Sequence, residues 1–184
     1  MKRLSRIRMM TGGLLILFTA TASAQFAATG TTTLSVVVPP EAAISVTTAT
    51  TNLATASTTF GTAITGTTNF TMKFRTTKTT GGGTVTVRIT TDFSPAGGPS
   101  VATPPTAGDA LSYSCTTTST NAVCITGSLN ASTAAATNVI QSMGAGKSSA
   151  NAGDTGTVSW SLTDDPVYAQ GTYTATATFT IAAT

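Results

Sequence analysis

Asn69 to Thr90 reads NFTMKFRTTKTTGGGTVTVRIT, and the spacing of its apolar residues decides the fold. Phe70, Met72 and Phe74 alternate with Thr71, Lys73 and Arg75. Beyond Lys78–Gly83, Val85, Val87 and Ile89 alternate with Thr84, Thr86, Arg88 and Thr90. A period of two puts one set on a buried face and the other in solvent, which is the pattern of a half-buried β-strand. Three successive glycines, Gly81 to Gly83, interrupt the two runs, so the pair is expected to form an antiparallel hairpin. Lys73, Arg75 and Arg88 then sit on its solvated outer face.

The same period recurs outward in both directions. Leu111, Tyr113 and Cys115 open one strand, Cys124 and Ile125 belong to another, and Asn138 to Met143 gives a weaker one. Val158, Trp160 and Leu162 alternate strictly. Tyr173, Ala175, Ala177, Phe179 and Ile181 then share one face, opposite a row of threonines. Ser94 to Asp109 and Gly144 to Gly156 lack the pattern and are rich in turn residues, so both are expected to be loops. No stretch holds apolar residues at helical spacing over three turns, and Thr and Gly disfavour helices. About eight short strands joined by long loops predict an all-β chain folded as a single antiparallel β-sandwich. Trp160 is expected in its core.

Residues 1–24 stand apart. Lys2, Arg3, Arg6 and Arg8 precede the apolar run Met9 to Ala20, and Ala22-Ser23-Ala24 offers a small-x-small cleavage site. This is the pattern of a signal peptide, with cleavage before Gln25. The apolar run is too short to span ~30 Å of hydrocarbon as a helix. Four of the nine basic residues lie in this leader. Beyond it stand Lys73, Arg75, Lys78, Arg88 and Lys147 against six acids, and five minus six gives a net charge of −1. The basic pI thus belongs to the leader and carries no nucleic-acid signal. No later stretch is apolar enough for a membrane-spanning helix.

Threonine supplies 42 of residues 25–184. It is β-branched and stiff at χ1, and it suits a pleated face that is polar without being charged. The regular apolar alternation argues against a disordered, mucin-like stalk. Cys115 and Cys124 are the only cysteines. In an exported chain such a pair closes a disulfide, here expected between neighbouring strands.

Upstream of the sandwich, Gly30 to Val38 (GTTTLSVVV) places Leu34, Val36 and Val38 on one face. Pro39-Pro40 stops this run because proline cannot donate to a ladder. A core strand follows at Ala43 to Thr48, then Phe60-Gly61, and the chain closes on Gly171-x-Tyr173 with alternating threonines. In these elements, about a third of the chain, the sequence resembles secreted pilin-like domains of the chaperone–usher type, particularly the spore coat protein U group. It departs from them in having Ala42-Ala43-Ile44 where they usually carry a cysteine.

The resemblance implies an immunoglobulin-like, pilin-like sandwich over residues 41–184, with residues 25–40 as an N-terminal strand and Pro-Pro linker. It also implies donor-strand exchange, in which Leu34, Val36 and Val38 plug a groove in another subunit by β-augmentation. The partners would be copies of the chain or related subunits, with a periplasmic chaperone and an usher. The alternative is that Gly30–Val38 is an edge strand of its own sandwich.

Chemistry is sparse. The chain has no His, the commonest general base and metal ligand. Asp164 and Asp165 precede a proline and read as turn-formers. Gly144-Ala-Gly-Lys-Ser148 lacks the spacing of a phosphate loop. Asp154, Asp164 and Asp165 match no defined calcium loop. No enzyme, cofactor or metal site is expected. The favoured function is an exported structural subunit of a bacterial surface filament or coat. The alternative is a secreted adhesin or carbohydrate-binding module using the loops Ser94–Asp109 and Gly144–Gly156.

Overall fold

A computed structural model of the chain describes residues 29–55, 57–79 and 82–184. The leader expected over residues 1–24 lies outside the described residues. Two units emerge, Met1–Val36 and Val37–Thr184. In the first, the described residues 29–36 carry no strand or helix, and Leu34 and Val36 are 91% and 84% exposed.

The second unit is a two-sheet antiparallel sandwich of nine strands, with no helix among the described residues. The strands are β1 (Glu41–Val46), β2 (Ala63–Arg75), β3 (Gly83–Ser94), β4 (Ser112–Thr117), β5 (Ala122–Cys124), β6 (Leu129–Asn130), β7 (Thr137–Met143), β8 (Asp154–Thr163) and β9 (Thr174–Ala183). One sheet has the order β1-β2-β8-β4-β6 and the other β5-β7-β3-β9. The all-β sandwich read from the alternation is therefore present.

The hairpin expected from Asn69–Thr90 is not. β2 pairs with β1 and β8, whereas β3 pairs with β7 and β9, so the two runs belong to opposite sheets. Their apolar faces meet across the sandwich: Phe70, Met72, Phe74, Val85, Val87 and Ile89 are all buried. Period two specifies which face is apolar. It is indifferent to whether that face lies beside its neighbour or opposite it.

From the other strands, Tyr113, Val139, Ile140, Val158, Trp160 and Leu162 complete the core. The Trp160 ring stands 5.5 Å from Tyr113, and its Nε1–H donates to the Thr68 hydroxyl at 2.8 Å. That bond satisfies the N–H of the buried indole. Gly156, opposite Phe70 in the β2–β8 register, leaves room for the Phe70 ring.

Cys115 on β4 and Cys124 on β5 are disulfide-bonded, with Cα atoms 5.6 Å apart. β4 and β5 lie in different sheets, so the bond staples the sandwich layers and does not join neighbours within a sheet. A persistent disulfide belongs to an oxidising compartment. No helix among the described residues is long and apolar enough to cross a membrane.

Candidate functional site

Each sheet of the sandwich has two edges, and three of the four are guarded. β5 and β6 have three and two residues, too short to template another strand. β1 has six, bears Glu41 in an ion pair with Arg75 (2.9 Å), and follows Pro39-Pro40. β9 is different. It has ten residues, a single partner strand in β3, and neither charge nor proline along its length.

The sandwich is open beside this edge. β1 leaves β2 after Val46, and Thr47 and Thr48 bond back to Asn69 before the chain rejoins β2 at the Ala54–Thr65 bridge. Between these points Thr48–Leu53 forms no strand but lies against β2, where its Thr51 hydroxyl meets that of Thr68 at 2.6 Å. A groove of about 930 Å³ lies between Val46–Leu53 and the first half of β9. Ile64, Ile89, Leu111, Trp160 and Leu162 line its depth, so the groove reaches the core. Several apolar side chains around it are covered only in part: Leu53, Ile64, Phe93, Ala175 and Phe179. Phe179 faces inward as its alternation requires, with its ring 5.8 Å from Phe70, yet it is only half-buried.

At the far end of the groove the loops are held by carboxylates. Asp92 Oδ1 accepts the N–H groups of Phe93 (2.8 Å) and Val101 (2.7 Å), while Oδ2 accepts the Ser100 hydroxyl (2.7 Å) and the Ala102 N–H (3.1 Å). Burial pushes the Asp92 carboxyl up, but these four bonds outweigh it and hold the group below its ordinary value. Asp165 Oδ1 accepts the Val167 N–H at 2.7 Å, the turn-forming role expected of it. The Thr106 hydroxyl lies 2.5 Å from Asp165 Oδ2 and from buried Asp109 Oδ2. Thr106 and the Val167 N–H hold the Asp165 carboxyl low.

Other sequence-derived candidates separate. Asp154 begins β8 while Asp164 and Asp165 follow its end, so the three acids do not converge. Among the described residues no group of His, Cys, Asp and Glu could hold a metal ion. Ser94–Asp109 follows the end of β3 beside the groove, whereas Gly144–Gly156 packs near Arg75 and Lys78 at the opposite end. The two loops therefore form no common site. Phe60 is 64% exposed, and Gly61 makes the turn with φ at 79°. Leu34, Val36 and Val38 remain exposed, and Gly30–Val38 carries no strand.

The groove was not foreseen as such from the sequence; what pointed to it was the plug-like spacing of Leu34, Val36 and Val38. No family model, no curated protein and no solved structure matches this chain.

Proposed function

We propose that the chain is an exported structural subunit of a bacterial surface filament or coat, whose groove accepts the Gly30–Val38 strand of another copy. The observation that carries this reading is the first half of the β9 edge, which has β3 as its single strand partner and lines a groove that opens the core, while β1 packs close to β9. An inserted strand would bond to β9 where it lines the groove, and apolar side chains at alternate positions would cover the half-buried residues. Leu34, Val36 and Val38 have that spacing, and all three are exposed.

Donation to a neighbour is favoured over self-insertion by where the chain enters. Glu41 pairs with Arg75, at the end of β1 remote from the groove. To reach its own groove the segment would have to reverse immediately, and Pro39-Pro40 resists that by fixing φ. A surface used head to tail, which does not close on itself, generates an open filament. The leader at 1–24 and the disulfide fit an exported protein, and a periplasmic chaperone could shield the same groove before assembly.

The test uses mature protein, residues 25–184. Filaments are expected by negative staining, and none from a chain lacking Gln25–Val38. A peptide of Gly30–Val38 should raise the unfolding midpoint of the deleted chain. Val36→Asp should block assembly, because it carries a charge into an apolar groove. Wild-type protein that stays monomeric at all concentrations defeats the reading.

One observation favours the non-polymerising adhesin module. A shallow hollow of about 580 Å³ on the outer face of the first sheet is lined by hydroxyls, including Thr65, Thr67, Ser114, Ser159 and Ser161. Uncharged hydroxyls suit a neutral glycan, and glycan-array binding by a monomer would select this alternative.

A further inference from the structure

Beyond residue 24 the chain carries eleven charged side chains, five basic and six acidic. Their placement in the fold is uneven. Lys73 and Arg75 occupy the last turns of β2, where Arg75 meets Glu41 and Met72 meets Asp154. Lys78 lies in the following loop, and Lys147 lies beside it: the Gly146 N–H bonds to the Thr77 carbonyl and the Thr76 N–H to the Lys147 carbonyl. This end therefore holds four cationic and two acidic side chains, a net side-chain charge of +2.

The opposite end, beside the groove, holds Asp92, Asp109, Asp164 and Asp165 and no cation, a net −4. Asp109 and Asp165 share Thr106, and the Asp164 carbonyl accepts the Gly61 N–H. Only Arg88 lies between the two ends. It is in mid-β3, and its Nε–H bonds to the Thr133 carbonyl.

Such a separation contributes little within one molecule. β2, with 13 residues, runs almost from end to end. At ~3.3 Å per residue that is ~40 Å, about five times the ~8 Å screening length at physiological ionic strength. The clusters do not feel each other across the sandwich. They come into range only when two copies meet end to end.

We infer that the basic end around Lys73, Lys78 and Lys147 docks electrostatically on the acidic rim of the groove of the next copy, orienting subunits for head-to-tail growth. The inference rests on the strand-donation reading, and it adds the residues that steer the encounter. Its geometry is consistent with that reading. The donor segment leaves at Glu41, on the basic end, and the acceptor groove opens at the acidic end. Two extended prolines span ~6 Å, so a donated strand would bring the two charged ends within one screening length. Like ends repel, which opposes the inverted, non-productive encounter.

The sign of the salt dependence tests this. Growth of wild-type mature protein, followed by light scattering, should slow about tenfold between low salt and ~0.5 M NaCl, because screening removes the steering. The variant Lys73→Glu, Lys78→Glu, Lys147→Glu changes three exposed side chains. It leaves one cation against five carboxylates, a net −4, facing another −4. Its growth should be slow at low salt and should accelerate as salt rises. Misfolding would not produce that inversion.

Asp164→Lys with Ala102→Lys and Ala107→Lys brings the acidic end to −4 + 4 = 0, and growth should become indifferent to salt. Wild-type growth that ignores salt, or a triple-Glu variant that keeps the falling wild-type profile, overturns the inference and leaves strand donation standing. Growth of the Gln25–Val38 deletion with the wild-type rate and salt profile defeats strand donation and leaves the docking ends. Absence of any wild-type growth overturns both.

Discussion

Gly156→Ala is expected to be costly out of proportion to one methyl group, and Phe70 is the reason. A Cβ placed on Gly156 would lie 2.1 Å from Phe70 Cζ and 2.6 and 2.7 Å from the two Cε atoms. Ordinary carbon–carbon contacts need ~3.5–4.0 Å, so the ring would have to move by more than 1 Å, on the order of a full bond length. Phe70 is fully buried and its ring leans on Phe179, so the movement must displace that neighbour as well. Overpacking of this kind costs ~1–3 kcal/mol, and so direct a clash belongs at the upper end. Gly156 does not adopt positive φ, so alanine recovers ~0.5–1 kcal/mol of backbone entropy. The net expectation is a loss of about 2 kcal/mol. In a Phe70→Ala background, which itself costs ~3–5 kcal/mol, the clash vanishes and Gly156→Ala should be neutral or slightly stabilising. The coupling energy between the positions is then ~2–3 kcal/mol. Guanidinium unfolding followed by Trp160 fluorescence, with unchanged m-values, measures all four corners of the cycle. A Gly156→Ala protein within ~0.5 kcal/mol of wild type, or an equal loss in both backgrounds, would refute the packing described for β2 against β8.

Three further outcomes are expected. Thiol labelling of unfolded, non-reduced protein should find no free cysteine, and reduction should cost roughly 2–3 kcal/mol for so short a loop; two labelled thiols per chain would contradict the stapling of the layers. Asp92→Asn should destabilise at neutral pH and progressively less in acid. The folded carboxyl is held below its ordinary value, so its contribution is present above the unfolded pKa near 3.8 and is lost as pH falls through the folded value; a mutational cost that persists undiminished in strong acid would refute the charged role. Phe179→Ala should cost ~1.5–2.5 kcal/mol in the monomer, about half the value for a fully buried phenylalanine, and a monomer loss above ~4 kcal/mol would mean the groove is closed in solution.

Alternation made the strands legible and left their partners open. The runs at Phe70–Phe74 and Val85–Ile89 each gave the correct buried face, but both a hairpin and an arch between sheets satisfy that pattern. β2 ends at Arg75 in one sheet and β3 begins at Gly83 in the other. Asn138–Met143 read weakly because Val139 and Ile140 are consecutive apolar residues. A register shift at that point turns both into the core, and alternation cannot anticipate a bulge. The cysteine pairing followed from compartment and count, while its placement across the layers depended on β5 crossing to the second sheet. The acidic end was invisible locally, since Asp109 and Asp165 are far apart in sequence and meet through Thr106. The groove was least legible of all. Phe179 has the spacing of a core residue, yet it is half-buried where β9 lines the groove opposite Val46–Leu53, a segment with no periodic signal of its own.

The abundance of threonine bears on the same groove. An outer sheet face can be kept soluble by charge, but charges along the flanks would blur any contrast between the ends. Here the flanks carry many hydroxyls, and Arg88 is their charge. Many threonines bond to the protein itself: Thr90 meets Thr178 at 3.0 Å, Thr118 meets Thr155 at 3.1 Å, and the Thr117 hydroxyl donates to the Thr155 carbonyl at 2.9 Å. Cross-strand pairs of this type stabilise a sheet face that is polar and uncharged. Side-by-side association then has no contrast of charge to drive it and meets only scattered apolar side chains such as Val123 and Leu129, while end-to-end association has both a groove and a charge contrast. On the proposed reading, the same composition that makes the chain an unusual globular sequence confines its assembly to one direction.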